Sequence, residues 1–153
     1  MKNNVLRIIS VVAPIVLVAV LGSVFVNLGM EWFNGLTKPS QWIPNWVIPV
    51  VWTVIYILFA VLLLIWSTKE EIPLSTKILL IINGILNILW CLVFFTLKQT
   101  FLGNIVIIIN LIAGIALWVN IFLQKKNYAY AVAIYPIWLS IATTLNLAMW
   151  ILN

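Results

Sequence analysis

The sequence contains no histidine and a single cysteine, Cys91. Without histidine, the chain lacks the commonest general base, metal ligand and haem ligand of proteins. One cysteine cannot form a disulfide within the chain, so it gives no information about redox compartment. Charged residues are scarce at 7 %, and the three carboxylates, Glu31, Glu70 and Glu71, all lie in predicted connections. Ordinary acid–base or metal-dependent catalysis is therefore not expected.

The net charge of +5 is small and is spread over the connections. Such a distribution fits contact with anionic lipid headgroups, whereas nucleic-acid binding requires a clustered basic face.

What the sequence has in abundance is apolar residues, which make up 65 % of its 153 positions. An ordinary soluble domain is about 45–50 % apolar. A soluble chain of this length could not bury so much apolar surface, so we expect a single-domain membrane protein.

Five apolar runs are long enough to cross a bilayer, which takes about 20 residues of helix. None of them carries a charged residue in its middle. The first run follows Lys2 and Arg7 as a signal peptide would, but it is too long for one and four more runs follow it, so we expect it to be retained. The sequence predicts one all-α domain, an integral membrane bundle of five transmembrane helices over residues 1–153. The helices are expected at about residues 8–30, 46–66, 78–97, 101–123 and 128–152.

The first connection, residues 31–45, is the longest, and it is rich in aromatic residues and prolines. Prolines fix φ and pre-order the segment. Its aromatic residues suit either the membrane interface or a lid over the mouth of the bundle.

Basic residues are unevenly divided between alternate connections. The side that holds Lys38 and Lys98 has two, and the side that holds the N-terminus has six. Those six are Lys2, Arg7, Lys69, Lys77, Lys125 and Lys126. The positive-inside rule therefore predicts an N-terminus in the cytoplasm and a C-terminus outside.

Aromatic and polar residues recur at helical spacing on four of the runs, so each set lies on one helix face. A wall of rings and isolated amides suits a flat conjugated ligand, since rings stack and an amide offers both a donor and an acceptor. On spacing alone, packing and interhelical hydrogen bonding are the commoner roles of such residues, and both interpretations stay open. The stripes are Trp52, Tyr56 and Phe59; Asn83, Asn87, Trp90 and Phe94; Asn110, Gly114 and Trp118; and Tyr135, Trp138, Ala142, Leu145 and Met149, with Asn146 beside the last.

Three segments resemble motifs of the TspO/MBR family of translocator and tryptophan-rich sensory proteins. Residues 32–40 with Trp42 resemble its W-Y-x-x-L-x-K-P-x-W-x-P segment. Residues 86–95 are similar to its L-N-x-x-W/F-x-x-x-F-F segment, and residues 138–146 to its W-x-x-F-A-T-x-L-N segment. The motifs occur in the family's order, and the resemblance covers essentially the whole chain.

The resemblance implies a five-helix bundle, commonly a homodimer, in a bacterial cell membrane. It implies lipids and a tetrapyrrole such as protoporphyrin as partners, no nucleic acid and no required cofactor. The ligand is expected in an aromatic pocket near the mouth of the bundle, under the first connection. Carried over by position, the expected ligand-binding residues are Trp32, Phe33, Trp42, Trp52, Tyr56, Asn87, Trp90, Trp138, Ala142 and Leu145.

The chain departs from the family pattern at several positions. Phe33 stands where the family usually has tyrosine, and Ile108 where an acidic residue is common. These departures bear on pocket shape and ligand identity.

Three alternatives to a receptor, sensor or carrier stay open: an enzyme that degrades porphyrin with light or an oxidant through pocket tryptophans such as Trp32 and Trp138, a transporter, and a purely structural protein. Five helices do not divide into two equal halves, which disfavours a repeat-based transporter.

Overall fold

The computed structural model describes residues 2–40 and 43–153. Within these ranges all regular secondary structure is helical, and five spans are long and apolar enough to cross a membrane. The predicted all-α bundle of five transmembrane helices is confirmed, and the chain is an integral membrane protein. The helices are α1 (Lys2–Gly35), α2 (Val47–Lys69), α3 (Leu74–Cys91) continued by a π-helical turn (Leu92–Thr96), α4 (Thr100–Gln124), α5 (Lys126–Val132) and α6 (Ile134–Leu152).

The spans form a closed ring. Helix α1 packs on α2 and α3, α3 packs on α4, α4 packs on α5 and α6, and these two return to α2. Two clusters of buried apolar side chains fill the ring, while many valines, leucines and isoleucines remain exposed on its outer faces. Such an apolar exterior suits contact with lipid. The helices also satisfy their backbone polar groups internally, as the interior of a bilayer requires.

Helix α1 is longer than the sequence predicted, because residues 31–35 belong to the helix and not to the first connection. None of residues 31–34 breaks a helix, so the helix continues until Gly35. Beyond it, the Lys38 ammonium donates to the carbonyl oxygens of Phe33 at 3.2 Å and Asn34 at 3.4 Å. This cation caps the last turn of the helix, where the Phe33 carbonyl also accepts from the Leu36 N–H at 3.3 Å. The aromatic residues of the last turn therefore have directions set by the helix.

The third span ends in the π-helical turn Leu92–Thr96, which the sequence analysis did not predict. The Leu97 N–H donates at 2.9 Å to the carbonyl five residues earlier, as a π-helix requires. Two successive rings, Phe94 and Phe95, are both buried there. Helix α1 approaches this turn at Gly29, where a Cβ atom would lie 2.1 Å from the Phe95 carbonyl oxygen. The close approach is possible only because residue 29 has no side chain.

The fifth span is divided into α5 and α6 at Ala133. The break has a local cause, because Pro136 has no N–H to donate to the Val132 carbonyl and its ring clashes with that group. After the break the helix is continuous and buries Trp138 and Ala142 on its inner face.

The two ends of the bundle are fastened differently. At the end near the N-terminus, Lys125 forms an ion pair with Glu70, which links two connections. At the other end, the Thr37 N–H donates to Asn153 Oδ1 at 2.8 Å, and Asn153 Nδ2 donates to the Thr37 carbonyl at 3.0 Å. These bonds hold the first connection against the end of α6.

Candidate functional site

A cavity of about 40 Å³ lies between α1, α2, the end of the third span and α6. It is near the end of the bundle at which the first connection is fastened. Its wall is almost wholly apolar and aromatic. Four spans contribute side chains to it, so they share one hollow. The lining residues are Phe33, Ile48, Trp52, Trp90, Phe94, Phe95, Trp138, Ala142, Leu145, Asn146 and Met149.

The rings of the wall are in contact with one another. Trp52 and Trp90 have centroids 6.5 Å apart, and Trp90 stacks on Phe94 at 6.0 Å with an interplanar angle of 22°. Phe33 and Phe95 lie 5.2 Å apart. These separations are within the range in which aromatic pairs attract beyond simple burial. The wall is thus a continuous aromatic surface built from α1, α2 and the third span.

One polar group of the wall has no partner. Trp138 is 6 % exposed, and its Nε1 makes no hydrogen bond to any residue that the structure describes. A buried donor left unsatisfied costs about 1–3 kcal/mol, and native proteins contain few such groups. An acceptor oxygen on a bound molecule would remove that cost.

A second unsatisfied donor lies directly behind the wall. Asn146 Oδ1 accepts from Trp90 Nε1 at 3.1 Å, and Asn146 Nδ2 donates to Asn104 Oδ1 at 3.3 Å. Asn104 is 4 % exposed, and its Nδ2 finds no acceptor within the described parts of the chain. Asn104 has no predicted role, because its position in the sequence is near a helix end.

Asn87 lies outside the cavity wall, in a separate polar network. Its Nδ2 donates to the Tyr135 hydroxyl at 3.1 Å, and its Oδ1 accepts from Asn110 Nδ2 at 2.8 Å. The Tyr135 hydroxyl donates in turn to Asn83 Oδ1 at 2.9 Å. All four residues are buried. Both functional groups of the Asn87 amide are therefore used between α3, α4 and α6, which is the interhelical role that the spacing left open.

The remaining nine expected site residues have four different outcomes. Tyr56 stacks on Trp52 with centroids 5.8 Å apart but is not on the wall. Trp32 lines an outer groove and meets the wall edge-on through Phe94, at 5.7 Å. Trp42 lies outside the described residues. The expected residues that do line the cavity are Phe33, Trp52, Trp90, Trp138, Ala142 and Leu145.

Five wall residues were not among those expected. Phe94 and Met149 lie on sequence stripes and Asn146 lies beside one, so a signal for them was present. Phe95 lies on no stripe, although it ends the motif over residues 86–95, and the π-helical turn brings it inside. Ile48 carried no signal, since it lies at the start of α2, before the aromatic stripe begins.

The cavity is small for a ligand site. One water needs about 10–15 Å³ of such space, so this hollow has room for only a few, whereas sites for small organic ligands usually measure about 300–1,000 Å³. A ring system the size of a tetrapyrrole enters only if wall side chains or the first connection move apart.

Five apolar spans, four of which line an aromatic cavity, define the class: an integral membrane protein with an internal hollow near one end of its helix bundle. The family follows from the sequence as a whole. The TspO/MBR family model matches residues 10–151, and the chain belongs to that family.

Named relatives cover most of the chain. It is 29 % identical over 152 residues to the Tryptophan-rich protein TspO of Archaeoglobus fulgidus, which spans 98 % of this chain and 99 % of the relative. It is 31 % identical over 141 residues to the Translocator protein of Homo sapiens, spanning 84 % and 79 % respectively. Protein CrtK of Rhodobacter capsulatus is 28 % identical over 130 residues, or 80 % and 78 %. The family resemblance found in the three motifs is confirmed.

Proposed function

We propose that the chain is a membrane receptor, sensor or carrier that binds a flat conjugated ligand of the porphyrin class in the aromatic cavity. The observation that carries the proposal is the buried Trp138 N–H, which finds no acceptor among the described residues, on a wall that carries five other aromatic rings. A porphyrin offers a macrocycle that can stack on Trp52 and Trp90, and carboxylate side chains that can accept from Trp138 Nε1.

Binding in this proposal requires the cavity to open. The first connection is the segment that moves in this proposal, and two hydrogen bonds between Thr37 and Asn153 tie it to the end of α6 in the closed form. Phe33 and Ile48 line the cavity and lie just before and just after this connection in the sequence, so its movement would displace that side of the wall. In the closed form the aromatic wall is kept out of contact with water, which is favourable for apolar surface.

The orientation belongs to the same proposal. With the N-terminus in the cytoplasm, the cavity lies toward the outer end of the bundle. Single cysteines introduced at Lys126 and at Thr37, in a Cys91→Ala background, test this in intact cells. A membrane-impermeant thiol reagent should label the cysteine at position 37 and not the one at position 126, and the reverse pattern would overturn the assignment.

The binding proposal is tested by titrating the purified protein with protoporphyrin and following the absorbance of the ligand. Trp138→Phe keeps a ring and removes the N–H. We expect the Kd to rise about tenfold, which corresponds to one hydrogen bond of about 1.4 kcal/mol. Trp118→Phe is the matched control, because Trp118 Nε1 donates to the Ala129 carbonyl at 3.0 Å outside the cavity. No spectral change with the folded wild type, or equal Kd values for wild type and Trp138→Phe, would refute the proposal.

A second candidate is a porphyrin-degrading enzyme driven by light or an oxidant. The observation that favours it is the presence of three oxidisable indoles, Trp52, Trp90 and Trp138, on one cavity wall. Illumination of the aerobic complex should then convert the porphyrin into a product whose formation Trp138→Phe abolishes. A porphyrin that is bound but recovered unchanged would exclude this candidate and leave the receptor proposal intact.

A further inference from the structure

A groove lies on the outer surface where α1 ends, on the other side of Trp32 from the cavity. It encloses about 550 Å³ and is open to the surroundings. None of its lining residues is on the cavity wall, so what it binds is independent of the function proposed above. The groove is lined by Leu28, Glu31, Trp32, Gly35, Leu36 and Lys98.

The groove carries one charge of each sign, and both are unpaired. Glu31 and Lys98 line it and are exposed, and neither forms an ion pair with a residue in the described ranges. The other acidic residues, Glu70 and Glu71, do have lysine partners. An occupant that bears both a cation and an anion would satisfy both groove charges.

The groove lies at the level of the lipid headgroups. Lys98 is in the short connection between the π-helical turn and α4, so it marks the boundary of two adjacent spans. The half-buried indole of Trp32 is typical of that interface. Leu28 is one helical turn deeper than Glu31 and is 66 % exposed, which offers an apolar path for an acyl chain.

We propose that this groove binds a zwitterionic phospholipid with a primary ammonium headgroup, of the phosphoethanolamine class. Its phosphate accepts hydrogen bonds from Lys98 Nζ, and its ammonium donates to the Glu31 carboxylate. A phosphocholine headgroup has no N–H to donate to Glu31. A phosphoglycerol headgroup has no cation, and its negative charge is repelled by the same carboxylate.

Gly35 provides a way to close the groove without changing its charges. A Cβ atom at this position would meet nothing within 4 Å, and the residue does not have a positive φ. Leucine should therefore be accepted at position 35 by the fold while its side chain occupies the groove. Gly35→Leu thus separates a defined lipid site from a general attraction between charges and headgroups.

The proposal is tested with the full chain by native mass spectrometry, after equilibration with equal amounts of phosphatidylethanolamine, phosphatidylcholine and phosphatidylglycerol of the same acyl composition. The wild type should retain about three times as much phosphatidylethanolamine as phosphatidylcholine, which is the ratio expected from one exposed ion pair. Glu31→Gln should abolish this preference. Lys98→Gln should lower retention of all three lipids, and so should Gly35→Leu.

Glu71→Gln and Lys77→Gln are the matched controls, because these residues pair with each other at 3.0 Å at the opposite end of the bundle. Both should behave as the wild type. Equal retention of the first two lipids by the wild type, a preference that survives Glu31→Gln, or stronger retention of phosphatidylglycerol would each overturn the proposal. A porphyrin titration of the same samples distinguishes this outcome from failure of the cavity proposal, since the groove variants should bind porphyrin with unchanged affinity.

Discussion

Trp90 and Asn146 are joined across the bundle by a hydrogen bond of 3.1 Å between residues 56 positions apart in the chain. Both side chains are buried and both line the cavity. The bond fixes the plane of one wall ring from α3 by means of an amide on α6. The bond also occupies the acceptor oxygen of Asn146. A ligand can therefore bond to this oxygen only if the bond from Trp90 breaks.

Replacing Asn146 by leucine should destabilise the bundle by about 1–2 kcal/mol, because Trp90 Nε1 then loses its acceptor in an apolar interior. Thermal unfolding in detergent measures the change. A double-mutant cycle with Trp90→Phe is the control. The two substitutions together should cost clearly less than the sum of their separate effects, and strict additivity would mean that the bond contributes nothing.

Gly29→Ala should lower the stability of the bundle by about 1–3 kcal/mol, the usual cost of overpacking. The added Cβ would collide with the backbone of Phe95, which cannot move aside as a flexible side chain could. Gly35→Ala is the matched control on the same helix, since a Cβ atom there has open space. Unfolding midpoints in one detergent compare the two. Equal midpoints would contradict the close approach of α1 to the π-helical turn.

Ala142→Leu should weaken protoporphyrin binding at least about tenfold, because the larger side chain fills the narrow hollow that Ala142 lines. Stability should change little, since the existing space accepts part of the added volume. Ala116→Leu is the control, because Ala116 is exposed on the outer face of α4. Titration and unfolding on each sample separate the two effects. Undiminished affinity in a folded Ala142→Leu protein would place the ligand elsewhere.

Asn153→Ala should speed the entry of the ligand, because it removes the two hydrogen bonds between Thr37 of the first connection and Asn153 at the end of α6. Stopped-flow quenching of tryptophan fluorescence gives the association rate. If opening limits entry and the two lost bonds each contribute about 0.5–1 kcal/mol, we expect this rate to rise about fivefold to thirtyfold. Thr144→Ala, which removes an exposed hydroxyl that bonds only within α6, should leave the rate unchanged. A rate equal to that of the wild type would exclude the first connection as the gate.

The sequence predicted the membrane class, the five spans and the family because those properties depend on composition, run length and motif order. The break in the fifth span at Ala133 was not predicted, although its cause, Pro136, is visible in the sequence. The end of α1 was also predicted less well. The aromatic residues at positions 32 and 33 suggested a connection, yet nothing there breaks a helix, and the capping lysine five residues beyond Phe33 becomes evident only in three dimensions.

What the sequence by itself determined is which side chains share a helix face, since helical spacing fixes their angular positions. It did not determine which neighbour each face meets. Only the tertiary structure decided that the Asn87 amide bonds to Tyr135 and Asn110. Trp138, which also lies inside the bundle, has a donor with no acceptor in the part of the chain that the structure describes. The hydrogen-bond partners lie on other helices, at depths that the packing of the whole ring sets. The spacing of residues within one helix therefore does not predict them.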